Sequence, residues 1–310
     1  MKDLLSFLLC ITENERLNIN NSFVVPSYWV ALAADCRFRN ISFEQLSFSE
    51  ERKSYARAIG LEKALNQVDH YYYERKNSGK NYSELVLLNS SDDTDKANST
   101  INSCIRHLFS DSQLSDFVSD LCDVVGDLHD NVWSHGKSTG FSMAQKWQDY
   151  SSKQDCFEFA LADCGFGFLK ELQRVGLNIQ DDESAINWCI QEGNSSKTLK
   201  PKDNWSQRLP VDMAGNPMPV AQIIETENNH RGIGLAKLLN LVKTYQGQLW
   251  LASGEKTLVI ESNSNQFFKT NTLRWQGVAL ACRFNIETAK SYHKNNNDEA
   301  NNAILELLSF

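Results

Sequence analysis

The sequence predicts an α+β protein, because one amphipathic helix and several apolar strands follow one another in the second half of the chain. Between Leu114 and Val132, apolar residues recur three and four positions apart, which is typical of a helix with one buried face. A second helix of this kind is expected at 234–245. Runs of aromatic and branched residues that are typical of strands lie at 156–162, 249–252, 257–260 and 278–284.

The first hundred residues alternate between strand-like and helix-like segments, which indicates a smaller α/β domain at 1–110 before the larger one at 111–290. The strand-like segments are 23–25, 41–46 and 84–88, and the helix-like segments are 4–11, 28–36 and 50–66. We expect 291–310 to be a linker followed by a short C-terminal tail.

A long polar segment interrupts the larger domain at 193–230. It contains four of the five prolines of the chain and has no clear periodicity. A compact domain tolerates such a loop mainly when the loop covers or binds a ligand, so this segment is a candidate lid.

The composition is that of a globular, acidic protein. With 41% hydrophobic residues among 310, the chain can build a substantial core. Its net charge of −8 argues against broad binding to nucleic acid or to anionic membranes, because both require a basic surface. The apolar runs are shorter than the about 18 residues that cross a bilayer. Its eight cysteines have no metal-ligand spacing, so we expect buried thiols in a cytoplasmic protein.

The first candidate site lies on the helix expected between Leu114 and Val132. Asp127, Asn131 and His135 are four positions apart and share one face at the border of the apolar stripe. The amide oxygen of Asn131 can bind Mg²⁺, and a carboxylate one turn earlier can accept a proton from an attacking water or hydroxyl. Alone, this pattern is more typical of the polar edge of an ordinary amphipathic helix.

The second candidate site is the turn after the strand at 156–162. Asp163 follows this strand, and Gly165 and Gly167 come at alternate positions, where the backbone can approach a flat ligand closely. The Asp163 carboxylate can accept a hydrogen bond from an exocyclic amine such as that of adenine. Alone, this pattern is more typical of a plain strand-to-loop turn.

The third candidate site comes at the start of the helix expected at 234–245. Gly232 and Gly234 would expose backbone N–H groups at the positive end of this helix, which suits a polyphosphate. Arg231 can add a charge-assisted contact, and Leu235 begins the inner face of the helix. Alone, an ordinary helix start that contains glycine explains this pattern equally well.

Taken in order, the three motifs resemble those of the GHKL ATPase superfamily, which includes gyrase, the large heat-shock chaperone, sensor histidine kinases, anti-sigma kinases and MutL. The segment DLHDNVWSHG at 127–136 resembles the N box, and it is most similar to the N box of the anti-sigma kinases. The segment DCGFGF at 163–168 resembles the G1 box, and the segment RGIGL at 231–235 resembles the G2 box. The segment at 238–254 resembles the helix, turn and strand that close such domains.

This resemblance implies a two-layer α/β sandwich of the Bergerat type, with an ATP pocket between a mixed sheet and a layer of helices. In such a pocket, Asn131 would hold Mg²⁺, Asp163 would hold the adenine, and the glycines of the third motif would hold the phosphates. Asp127 stands at the position of the family's catalytic acid, and 193–230 stands at the position of the ATP lid.

Several other positions decide how far the resemblance extends. His135 matches the histidine of the N box. Ser134 stands where kinases often carry a basic residue, and Lys137 can substitute for it, although a surface lysine is the simpler interpretation. Asp127 replaces the commoner Glu, which is one methylene longer. Val278 stands where many members have a threonine that helps to fix the adenine.

The N-terminal region resembles STAS-like modules more faintly. Such modules accompany GHKL domains in some bacterial regulators, and the likeness depends on an α/β rhythm over 20–90 and on the phrase YARAIGLEKAL at 55–65. It implies a regulatory role for the first domain.

The resemblance implies three alternative functions. The first, which we favour, is an ATPase whose lid closes over ATP and Mg²⁺ and thereby switches its contacts with a partner protein or with a second copy. The second is an anti-sigma-type serine kinase in which Asp127 acts as the base, and the third is an ATP sensor without catalysis. The absence of a histidine in the context of a dimerisation helix argues against an orthodox sensor histidine kinase.

Overall fold

The computed structural model describes residues 2–10, 14, 17–19, 23–132, 139–150, 152–195 and 234–291. Most of the predicted lid and nearly all of the predicted linker and tail lie outside these residues. Among the described residues, no helix has both the length and the apolar character required to cross a membrane.

The described residues form an α+β structure, as the sequence predicts. The helices are α1 Leu4–Cys10, α2 Pro26–Phe38, α3 Glu50–Ala58, α4 Leu61–Asn66, α5 Ser91–Leu108, α6 Ser115–Asn131, α7 Gly167–Arg174, α8 Asp182–Cys189 and α9 Gly234–Thr244. The strands are β1 Val86–Leu88, β2 Gly140–Gln148, β3 Asp155–Asp163, β4 Gln248–Ile260 and β5 Gln266–Asn285. Short 3₁₀ helices cover Phe43–Gln45 and Ser112–Leu114.

The strands form one five-stranded sheet in the order β1-β2-β3-β5-β4. Every pair of neighbouring strands is antiparallel, so the mixed sheet that the resemblance implied is wrong for the described residues. For two of these pairs the reason is local, because short turns join β2 to β3 and β4 to β5, and a short turn can only join antiparallel neighbours.

The sheet is buried on both faces, because its central strands alternate two kinds of apolar residue. Phe157, Phe159 and Leu161 of β3 belong to a core shared with α5, α6 and α9. Ala160 and Ala162 belong to a second core shared with α1, α2 and α4. The described residues therefore form three layers, of which the helices of the N-terminal region form the third. Small alanine side chains on the second face let helices approach it closely.

The N-terminal region packs directly on this sheet. Its one described strand, β1, pairs with β2, and every residue of α2 from Pro26 to Cys36 is buried. The predicted domain boundary near residue 110 falls between α5 and α6, which contact each other in the same layer.

Two strands predicted in the N-terminal region are wrong. In the segment 23–25, Val24 forms only an isolated bridge with Lys2. In the segment 41–46, a 3₁₀ helix forms, and the Ser42 and Gln45 side chains each bond the other residue's backbone N–H in a capping box. This reciprocal cap stabilises a turn in place of an extended chain.

In the larger region the predicted elements form, and two of them are joined. The segments 249–252 and 257–260 are parts of the single strand β4, which carries a register shift at Gly254. The segment 278–284 lies within β5, and the helix predicted at 234–245 is α9. A continuous β4–β5 hairpin therefore forms one edge of the sheet and extends beyond it.

Candidate functional site

Residues from all three predicted motifs line one cavity between the α6–α9 layer and the sheet. Its wall includes Asn131 from α6, Asp163 from the end of β3, Gly167 from the start of α7, and Gly234 and Leu235 from the start of α9. The cavity has a volume of about 130 Å³, roughly ten times what a single ordered water requires. Segments that are far apart in the sequence thus meet at a space that can admit a small molecule.

The helix α6 places its polar residues by burying its apolar stripe. Leu128 and Val132 line the cavity on either side of Asn131, which lies at the C-terminal end of the helix. Asp127, one turn earlier, is only 7% exposed. Among the described residues, the cavity wall includes Asn131 but not Asp127.

The start of α9 lies directly against Asp127. A Cβ atom at Gly234 would lie 2.8 Å from the Asp127 Cβ and 3.4 Å from its Oδ2, so only glycine allows this approach. The third motif is therefore in contact with the first, and any side chain at position 234 would push α9 away from α6.

The β3 strand delivers Asp163 to the same face as α6. Side chains alternate along a strand, so Asp163 points to the side of Phe159 and Leu161, which pack with α6. The Asp163 carboxylate is 7% exposed, and its Oδ1 accepts a hydrogen bond from the Gly165 N–H at 2.7 Å. This bond fixes the carboxylate and the glycine turn relative to each other.

Most of the remaining wall is apolar. Leu235 and Val278 were named from the sequence, and Phe168 ends the segment that resembles the G1 box. The other apolar residues were not predicted, because an apolar residue that lines a cavity has the same local pattern as one in a core: Leu161, Leu172, Trp188, Cys189 and Leu280. Together they form a surface suited to a flat ring system.

A second buried carboxylate, Glu171 of α7, also lines the cavity and was not predicted. It accepts two hydrogen bonds from the Arg174 guanidinium, each 2.8 Å long. This bidentate pair compensates the charge of Glu171 from one side.

A buried histidine anchors the end of α6 beside Asn131. His129 is fully buried, with its Nδ1 2.6 Å from Asn98 Oδ1 and its Nε2 2.7 Å from Ser142 Oγ. Burial lowers the pKa of His129 to about 3, so the ring is neutral near pH 7. Its contacts connect α6 to α5 and to β2, which fixes the position of Asn131 two residues later.

Several predicted site residues lie outside the described residues. These are His135, Lys137, Arg231 and Gly232, together with most of the lid at 193–230. The first residues of that lid are described, and Asn194 and Ser195 line the cavity. Within the described residues, no group of three His, Cys, Asp or Glu side chains is arranged to hold a metal ion.

No protein-family model matches the chain, and no curated protein or solved structure matches it. The resemblance of its motifs to those of GHKL ATPases therefore depends on the residues quoted above. We infer the function from these residues and from the geometry of the cavity.

Proposed function

We propose that this protein binds ATP together with Mg²⁺ in the cavity between α6, α9 and the sheet, in a Bergerat-type arrangement. The observation that carries the proposal is that Asn131, Asp163 and Gly234, one residue from each predicted motif, line the same cavity. These three residues are far apart in the sequence, and the fold brings them together at one recess.

The chemistry of the wall fits the parts of a nucleotide. The purine ring lies among the apolar side chains, and the Asp163 carboxylate accepts a hydrogen bond from its exocyclic amine. The phosphates lie at the start of α9, where backbone N–H groups and the helix dipole favour negative charge. The Asn131 amide oxygen fits Mg²⁺, which proteins often hold through one or two ligands while phosphates and waters complete the octahedron.

The proposed reaction is ATP hydrolysis that drives a regulatory switch. Mg²⁺ held by Asn131 would neutralise the charge that develops on the phosphates during phosphoryl transfer. Asp127 would accept the proton of the attacking water, and closure of the predicted lid at 193–230 would exclude bulk solvent. The switch acts on another protein or on a second copy of this chain. The N-terminal layer of α1, α2 and α4 is the regulatory part of this protein.

One observation favours a second candidate, an ATP sensor that does not hydrolyse. Asp127 is buried beside Gly234 and is not part of the described cavity wall. A general base must come within hydrogen-bond reach of the proton that it removes, and an aspartate reaches one methylene less far than a glutamate. Hydrolysis therefore requires that the Asp127 carboxylate come within reach of a water in the cavity.

Calorimetry with ATP and Mg²⁺ tests the binding proposal. We expect saturable heat with wild type, and at about 100 times the dissociation constant ATP should stabilise the protein by about 2.7 kcal/mol. Asn131→Ala should lose most of the dependence on Mg²⁺, whereas Asn77→Ala, at an exposed asparagine outside the cavity, should not. The absence of heat from wild type with any adenine nucleotide would overturn the proposal.

Phosphate release separates the candidate functions. We expect slow release of phosphate from ATP by wild type and none by Asp127→Ala, with ATP binding retained. Binding without turnover in wild type would instead favour the sensor. Transfer of the γ-phosphate to a serine of an added partner would favour the kinase.

A further inference from the structure

Side chains of the β4–β5 hairpin, on the side of the turn away from the cavity, bind the turn that carries Asp163. Gln276 Nε2 donates to the Gly165 carbonyl oxygen at 2.8 Å. Ser253 is 1% exposed; its Oγ donates to the Gly277 carbonyl oxygen at 3.1 Å and accepts from the Phe168 N–H at 3.0 Å. Two side chains of the hairpin thus bind backbone atoms on either side of the glycine turn.

The backbone of β5 also lies directly against the Asp163 carboxylate. A Cβ atom at Gly277 would lie 2.4 Å from the Asp163 carbonyl oxygen, 2.6 Å from Asp163 Oδ1 and 2.7 Å from the Gly165 N. Gly277 has φ +100°, a conformation that other residues rarely adopt. The carboxylate, the turn and the hairpin therefore form one close-packed unit. We name its three hairpin residues the clamp: Ser253, Gln276 and Gly277.

We propose that Gln276 and Ser253 are positioning residues that give the cavity its preference for a purine with an exocyclic amine. This inference rests on the proposed function. Directional hydrogen bonds weaken steeply when donor and acceptor are misplaced, and a binding group must be held to within about 0.5 Å. The clamp holds the acceptor, although neither Gln276 nor Ser253 lines the described cavity.

Among the described residues, the clamp contacts the base end of the site and not the phosphate end. Gln276 and Ser253 bind Gly165 and Phe168, and Gly277 lies against Asp163. The proposed phosphate and metal groups lie on α9 and at the end of α6. Loosening the clamp should therefore change the discrimination between bases and leave the phosphate contribution intact. A merely structural role would weaken all nucleotides together.

The test compares ATP with inosine triphosphate (ITP), which carries a carbonyl oxygen in place of the amine and the same triphosphate. We expect wild type to prefer ATP. In Gln276→Ala, the dissociation constant for ITP divided by that for ATP should fall about fivefold, which is equivalent to the loss of one hydrogen bond. The affinity for ITP should not change. Ser253→Ala should shift the ratio in the same direction. Gln266→Ala, at the exposed start of β5, is the matched control and should leave the ratio unchanged.

Each outcome decides the inference. An unchanged ratio in Gln276→Ala, or a parallel loss of ATP and ITP affinity, overturns it while the proposed function survives. Failure of wild type to bind either nucleotide overturns both. If Gln276→Ala does not fold, Gln276→Glu preserves the length of the side chain but presents an oxygen to the Gly165 carbonyl, and it should give the same loss of selectivity.

Discussion

Two buried carboxylates on the same strand differ completely in their surroundings. Glu158, near the start of β3, is fully buried and accepts hydrogen bonds from the Ser27 N–H and from the Arg283 Nε–H, each 2.9 Å long. The Arg283 Nη2 lies 2.8 Å from the same carboxylate as part of the ion pair. Asp163, at the end of the same strand, lines a cavity. Their positions differ by an odd number, so they point to opposite faces of the sheet.

The surroundings of Glu158 are those of a structural group. The Arg283 guanidinium lies 4.7 Å from the ring centres of both Trp147 and Trp250. Ser27 is the second residue of α2, so Glu158 also places its charge at the positive end of that helix. Its acceptor atoms are engaged by protein groups, and it attaches the N-terminal layer to the sheet.

The comparison teaches that burial of a carboxylate does not by itself indicate function. A buried acid that faces a guanidinium and a helix start stabilises the fold, because its charge is compensated within the protein. A buried acid at the wall of a cavity, such as Asp163, can contact a ligand in addition to its protein partners. These two roles predict opposite responses to the same kind of mutation.

The largest expected effect is on stability, from Glu158→Gln. This change leaves Arg283 buried without its carboxylate and should lower the free energy of unfolding by about 3–5 kcal/mol, measured by urea denaturation. The double variant Glu158→Leu/Arg283→Met removes both charges and should regain a large part of this loss. A stability within about 1 kcal/mol of wild type for Glu158→Gln would contradict the structural role of the pair.

The opposite response is expected from Asp163→Asn. The amide preserves the shape of the side chain, so the stability without nucleotide should change far less than in Glu158→Gln. The stabilisation by ATP, about 2.7 kcal/mol at about 100 times the wild-type dissociation constant, should be lost, because the carboxylate no longer accepts from the purine amine. Thermal melting with and without ATP and Mg²⁺ measures both quantities. An undiminished shift in Asp163→Asn would remove this carboxylate from the site.

The sequence could predict the elements that carry this comparison but not their partners. The period of the apolar residues predicts α6 and α9, and the run that ends at Asp163 predicts β3, since these patterns are local. The ion pair of Glu158 with Arg283 joins residues more than a hundred positions apart. The glycines that follow Asp163 mark it as a candidate site residue, but no local pattern shows that Glu158 is paired with Arg283.

The same limit applies to the candidate site. The glycines at 165 and 167 indicated a close backbone approach, but Gln276 and Ser253 lie on a hairpin whose packing against that turn is tertiary. The strand expected at 41–46 failed for a different reason. Apolar residues at 41, 43 and 46 fit both an extended chain and a tight turn, and the Ser42–Gln45 capping box favours the turn.

A third buried titratable group, His129, allows a comparison on the α6 side of the sheet. Its pKa falls from about 6.5 in the unfolded chain to about 3 in the folded protein, because burial disfavours the charged ring. Below pH 6.5 the unfolded state therefore binds a proton that the folded state does not. Between pH 7 and pH 5 this should cost about 2 kcal/mol of stability.

The variant His129→Gln isolates this contribution. Glutamine retains a donor and an acceptor but does not titrate, so the stability lost between pH 7 and pH 5 should be smaller by about 2 kcal/mol than in wild type. Urea denaturation at both pH values gives the difference, in which the contributions of other groups cancel. Equal losses in the two proteins would mean that His129 binds its proton in the folded state.

The smallest expected effect concerns the attachment of α2 to the end of β3. Cys164, next to Asp163, donates its S–H to the Ala34 carbonyl oxygen at 3.2 Å, one turn before the end of α2. Burial raises the pKa of the Cys164 thiol, so the sulfur retains its proton and remains a donor at neutral pH. The helix α2 is thus attached to β3 through Glu158 at its start and through Cys164 near its end.

Cys164→Ala should lower the free energy of unfolding by about 0.5–1 kcal/mol, and Cys164→Ser, which keeps a donor, should lower it less. Urea denaturation of both variants measures the difference. If the two variants are equally stable, the thiol contributes only volume, and apolar packing alone attaches the end of α2 to the turn at Asp163. A nucleotide bound at this turn would then act on the N-terminal layer through packing and not through this hydrogen bond.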